Sequence, residues 1–163
     1  MQDCEKIERL WLLKEVKDET RKRFLQLGRI AVYSKDQLCL RGQEESPDIF
    51  FILDGKVQIY TLTKCGKKKI LFILGRDNIA NDSIVYPSRV IFCETMELCR
   101  FYLIRRELLL SLMEKDFLLT KALLEYQERK VFRLEHQLQN TVGSIYLERR
   151  LASKLWKLAR DFG

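Results

Sequence analysis

The chain has 163 residues and a mass of 19.5 kDa, enough for one or two small domains with a core of their own. Hydrophobic residues at 47% beside charged residues at 33% describe a soluble globular protein, and no apolar run reaches the ~18–20 residues that span a bilayer. The net charge of +7 permits a nucleic-acid partner without requiring one.

The N-terminus opens Met-Gln-Asp-Cys-Glu-Lys, with no apolar segment of a signal peptide. Residues 1–28 read as N-terminal helices broken near Lys17-Asp18. Ile7, Leu10 and Trp11, then Phe24, Leu25 and Leu27, supply the apolar stripes, and Gly28 is a natural stop. Five cysteines without framework spacing fit free thiols in a reducing compartment, so a cytoplasmic protein is expected.

From Arg29 the pattern changes to short strands: 37–42, 48–55, 56–63 and 68–75, then 89–94 and 97–104. Asp54-Gly55 and Cys65-Gly66 lie between such runs, where a tight hairpin needs a residue tolerant of positive φ. Strands of this length and spacing predict an α+β protein built on a small antiparallel β-roll, a jelly roll, over 29–115. The last part of that span, 105–115, is a short Leu-rich helix.

A long helix is predicted over 116–143, roughly 40 Å at about 1.5 Å per residue. Phe117, Leu124, Val131, Leu138 and Ile145 recur every seven residues, with Leu134 at a second seam position. Such a stripe packs on a partner helix or on its own domain. Thr120, Gln127 and Thr141 make the seam imperfect, yet polar seam residues occur in real dimers. A homodimer through Leu124, Val131, Leu134 and Leu138 is therefore expected. Gly143 interrupts the pattern, Ser144 is a suitable N-cap, and a last helix within 144–163 carries Leu147, Leu151, Leu155, Leu158 and Phe162 on one face.

Helix, glycine-punctuated roll, long helix and short amphipathic helix resemble the layout of the Crp/Fnr family of bacterial transcription regulators. The resemblance rests on Gly42 with Glu44-Glu45-Ser46, on Asp48–Tyr60, on Gly75-Arg-Asp-Asn-Ile-Ala80, and on Tyr146–Ala159. It implies a cyclic-nucleotide-binding-like sensor domain, a dimerisation helix, and a joining helix that leads to a winged helix-turn-helix domain. Asp161-Phe162-Gly163 ends the chain where that domain would begin, so DNA contact is expected only through a domain absent from this chain. In nucleotide-binding members a Gly-Glu pair starts the phosphate cassette, the Glu holds the ribose, and a later Arg-Ser pair holds the phosphate. Here Ala80 stands for the glycine, Asn81 for the carboxylate and Pro87 for the arginine, with Arg89 offset by two residues. Without that bidentate guanidinium, cyclic AMP and cyclic GMP are not the expected effectors. The resemblance places an effector pocket at Lys69, Leu71, Ile79, Ala80, Asn81, Asp82, Ser88 and Arg89, with Glu135 and His136 from the dimer helix. The effector or cofactor itself stays unidentified.

Catalysis is not expected. His136 is the single histidine, too few for a cupin-type metal site, and no nucleophile motif lies near it. It reads as a solvated or interfacial histidine, with haem ligation the alternative by resemblance. Phosphate-binding glycine motifs are missing. Cys4, Cys39, Cys65, Cys93 and Cys99 give no metal spacing, Cys93 and Cys99 are expected on adjacent strands, and Cys65 is expected to be exposed in a turn. Residues 129–163 hold eight Lys/Arg against three acids, read as a solvated face. The function expected is effector sensing and dimerisation within a transcription regulator under allosteric control. The alternative is a truncated, ligand-free interaction module.

Overall fold

The computed structural model describes residues 2–42, 44–81, 83–86, 91–142 and 147–163. Helices α1 (Gln2–Glu8) and α2 (Asp18–Leu27) flank a single 3-10 turn at Trp11–Leu13. The N-terminal region thus breaks twice, at Arg9-Leu10 as well as before Asp18. Strands β1 (Arg29–Tyr33), β2 (Leu38–Leu40), β3 (Asp48–Asp54), β4 (Val57–Leu62), β5 (Lys68–Leu74), β6 (Phe92–Thr95) and β7 (Cys99–Arg105) follow. Helices α3 (Arg106–Lys115), α4 (Phe117–Val142) and α5 (Leu147–Phe162) complete the chain. Two compact units result, Met1–Thr120 and Lys121–Gly163.

Among the described residues the strands form two antiparallel sheets, ordered β1-β7-β3 and β2-β6-β4-β5. The chain changes sheet after β1, β2, β3 and β6, which is how a roll closes two layers over one core. Cys65-Gly66 makes the expected hairpin, since β4 pairs with β5 and Gly66 has φ +72°. Asp54-Gly55 does not. It carries the chain from β3, which pairs with β7, to β4 in the other sheet. Gly55 has φ +88°, and a Cβ there would sit 2.6 Å from both Cys99 Sγ and the Leu98 carbonyl, so the corner requires glycine on two counts. For the same reason Cys93 and Cys99 are on consecutive strands but in different sheets, a correction to the expected adjacency.

Alternation along the strands sorts the side chains into two layers. Phe50 and Ile52 of β3 join Cys99, Phe101 and Leu103 of β7, Val57 and Ile59 of β4, and Phe72 and Leu74 of β5 in the roll interior. The intervening Ile49, Phe51, Leu53, Tyr102 and Ile104 are also buried, on the opposite face. There the fully buried Phe24 of α2 packs 5.6 Å from Phe51 and 5.0 Å from Tyr102, ring centre to ring centre. The Tyr102 hydroxyl donates to the Phe24 carbonyl, and its ring lies where a Cβ on Gly28 would be. Burying one such aromatic contributes about 2–3 kcal/mol, so α2 is fixed to the sheet mainly through Phe24.

Asp116 starts α4 and is 1% exposed. Its Oδ1 accepts from the Leu118 N–H at 3.0 Å and its Oδ2 from the Lys17 N–H at 2.9 Å, tying the N-terminal segment to the α3–α4 junction. Burial pushes this carboxyl up, but the Lys17, Thr20 and Leu118 hydrogen bonds outweigh it and leave it below the usual carboxylate range. A lowered folded value stabilises the protein above the unfolded value and is lost as pH falls through the folded one. Asp116→Asn would turn an amide NH2 toward the Lys17 N–H or the Leu118 N–H. Its expected cost near neutral pH is about 2 kcal/mol, shrinking below about pH 4, as read from thermal midpoints across pH.

Along α4, Leu119, Leu123 and Tyr126 are buried, whereas the heptad stripe is open: Phe117 is 74%, Leu124 59%, Val131 52% and Leu138 62% exposed. Among the described residues these heptad side chains are thus exposed on the single chain. No helix among the described residues is long and apolar enough to cross a membrane.

Candidate functional site

The segment after β5 runs along the outer edge of β3. Asp77 N–H donates to the Ile52 carbonyl at 3.0 Å, Ile52 N–H to Asn78 at 2.9 Å, and Ala80 N–H to Phe50 at 2.9 Å. Ile79 bridges Phe51. An edge strand needs such a cover for its unpaired backbone groups. The cover continues through a side chain. Asn81 Oδ1 accepts from the Phe50 N–H at 2.8 Å, and its Nδ2 donates to the Asp48 carbonyl at 3.0 Å, so the carboxamide mimics one more residue of ladder. A carboxamide offers an acceptor and a donor on one planar group at every pH, which a carboxyl does only when protonated.

The next turn is held by Arg106, the first residue of α3. Its Nη1 donates to the carbonyls of Ser83 at 3.1 Å, Ile84 at 2.6 Å and Tyr86 at 3.0 Å, and its Nη2 to Ser46 at 3.4 Å. One guanidinium thus gathers four backbone oxygens from two loops. Nothing in the sequence separates Arg106 from Arg105, because a carbonyl clamp has no periodicity and no motif. The adjoining Asp48 is buried and ion-paired to Arg29 at 2.6 Å.

Ile79 and Ala80 are fully buried and Asn81 is 4% exposed, so these three candidates serve the β3 edge and the roll interior. Leu71, half-buried on β5, packs on the same core cluster as Ala80, whereas Lys69 on β5 is exposed and registers with Thr61. Asp82, Ser88 and Arg89 lie outside the described residues, as do Pro87 and Ser144. Glu135 and His136 belong to the second unit and are exposed. Within that unit the His136 ring stacks on Trp156 at 6.4 Å and 29°. Burial draws the Lys157 ammonium below its usual value, with Asp161 opposing and Arg133, Arg160 and Lys154 adding to the effect.

Of the cysteines, Cys65 is exposed in its turn as expected, Cys39 is half-buried, and Cys93 and Cys99 are buried. Among the described residues no group of three or more His, Cys, Asp or Glu is placed to hold a metal ion.

The chain is thus a two-sheet β-roll with a backbone-pairing loop along one edge and helices packed on its outer face. Residues 30–116 match the family model for the cyclic nucleotide-binding domain, and the chain belongs to that family. Among solved structures it resembles the sensor domain of the transcriptional regulator DNR from Pseudomonas aeruginosa, with a TM-score of 0.67 and 18% identity over 89% of this chain and 97% of that one. The catabolite activator protein of Thermus thermophilus gives 0.67 and 16% over 78% and 61%. The regulatory domain of Toxoplasma gondii PKA, crystallised with cAMP, gives 0.62 and 11% over 68% and 44%. This chain therefore spans 61% and 44% of the last two, and nearly all of the first. At these identities the likeness establishes the fold. Comparison with curated proteins finds no match.

Proposed function

We propose that this chain is the effector-sensing and dimerising part of a Crp/Fnr-type, DNA-binding transcription regulator of the cytoplasm, controlled by a small molecule other than a cyclic nucleotide. The observation that carries the reading is the open stripe of Leu124, Val131 and Leu138, which continues through the partly exposed Leu134 beside the buried Leu119, Leu123 and Tyr126. A second copy of the chain presents the same stripe by two-fold symmetry, and a seven-residue repeat keeps both in register. The reciprocal cover with the DNR sensor domain supports the same reading.

The effector assignment rests on Asn81 and Ala80. Asn81 spends both ends of its amide on β3, and Ala80 is enclosed in the roll core. A group committed to its own backbone is poorly placed to hold a ribose hydroxyl. In this reading the effector acts on the segment 79–89 and biases two arrangements of the paired long helices, which reorient a DNA-binding domain outside this chain.

Thermal unfolding with cyclic AMP or cyclic GMP at millimolar concentration tests the effector. A ligand present at 100 times its dissociation constant stabilises the native state by about 2.7 kcal/mol, several degrees for a protein of this size. No shift is expected from either nucleotide, and a shift of that size overturns the assignment. The burial of Ile79 and Ala80 also favours a second reading, a dimerising interaction module with no ligand, which any specific small-molecule stabilisation would rule out.

A further inference from the structure

A β-bulge in the four-stranded sheet brings two thiols to one face. Leu38 of β2 registers with Glu94 of β6, but Leu40 registers with Cys93, so Cys39 and Leu40 together oppose Cys93. In regular pairing successive side chains alternate, and Cys39 and Leu40 would face opposite ways. The bulge removes that alternation, and Cys39, Leu40 and Cys93 all belong to the packing of the roll interior. Cys93 is fully buried, whereas Cys39 is half-buried on the edge strand of its sheet. Cys99, also buried, lies in the other sheet and donates its S–H to the Lys56 carbonyl at 3.3 Å.

We propose that Cys39 and Cys93 are a peroxide-reactive thiol pair that closes to an intrachain disulfide across the β2–β6 bulge. The Cys39 thiolate attacks the terminal oxygen of a hydroperoxide and the O–O bond breaks. Cys39 becomes a sulfenic acid, and the leaving alkoxide or hydroxide takes the proton that Cys39 gave up. The Cys93 sulfur then attacks the Cys39 sulfur, and hydroxide leaves with the Cys93 proton as water. The two thiols supply the two electrons that reduce the peroxide. The Cys39 thiol beside it, together with burial, pushes the Cys93 thiol well up, so Cys93 is the protonated, slower member of the pair, and Cys39 donates its S–H to the Gln37 carbonyl at 3.8 Å. The inference is independent of the effector reading, since neither residue belongs to the segment 79–89.

The test treats the reduced 163-residue chain with equimolar hydrogen peroxide, alkylates it in denaturant, and maps its peptides by mass spectrometry. A loss of about 2 Da, a peptide linking Cys39 to Cys93, and recovery of both thiols with dithiothreitol are expected. Cys93→Ala, checked for an intact thermal transition, is expected to leave a sulfenic acid on Cys39 that dimedone traps. The wild-type map does not depend on that variant folding. Linkage through Cys65 or Cys99, or over-oxidised Cys39 beside alkylated Cys93, overturns the proposal.

Discussion

Val131→Glu combined with Leu138→Glu is expected to make the protein monomeric at micromolar concentration. The two residues are 52% and 62% exposed on the single chain, so the charges cost its folding little. In a two-fold helix pair each substitution acts twice. Every buried Val or Leu contributes about 1.5–3 kcal/mol, and a carboxylate in its place adds desolvation and like-charge repulsion. The combined loss exceeds about 6 kcal/mol, and dimerisation weakens by at least ten-thousandfold at 1.4 kcal/mol per decade. Analytical ultracentrifugation reads the mass, and an unchanged far-ultraviolet circular dichroism spectrum shows that the roll stays folded. Leu119→Glu should behave oppositely, because that side chain is fully buried in the chain itself. It is expected to unfold the protein rather than dissociate it.

Asn81→Asp is expected to cost about 3 kcal/mol near neutral pH, roughly 6–12 °C in thermal midpoint for a domain of this size. The replacement is nearly isosteric and keeps the acceptor for the Phe50 N–H. It loses the donor to the Asp48 carbonyl and buries a charge at a site only 4% exposed. Acidification protonates the new carboxyl, which can then donate to Asp48, so the deficit narrows as pH falls. Asn81→Ala lacks that recovery. Its cost stays near about 2 kcal/mol at every pH, and thermal scans of both variants from neutral to mildly acid pH separate them. Equal behaviour of the two variants would show that the amide is not a ladder element.

Much of this was legible in the sequence wherever one residue type has one conformational use. Gly66 marked a true hairpin, and the run Asp48–Asp54 marked a strand, which the structure buries on both faces. Gly55 was legible as a turn but not as a sheet-to-sheet corner, because a left-handed glycine serves either geometry. The seven-residue stripe was legible as an apolar row on one side of a long helix, and Leu124, Val131 and Leu138 are exposed there. The second stripe of Leu119, Leu123 and Tyr126 was not, since one helix can carry two apolar faces and the eye takes the more regular one. Asn81 was legible as a departure from the cassette pattern. Its ladder role depends on where β3 lies, a tertiary fact that no local spacing encodes. Arg106 and the Cys39 bulge were hidden for the same reason: both come from which strand or loop arrives opposite, not from neighbours in sequence.

Native mass spectrometry of the purified protein with excess cyclic AMP tests the central claim most directly. The account predicts twice the 19.5 kDa chain mass, with no increment for bound nucleotide. A bare monomer at micromolar concentration, or a dimer carrying one nucleotide per chain, would contradict it.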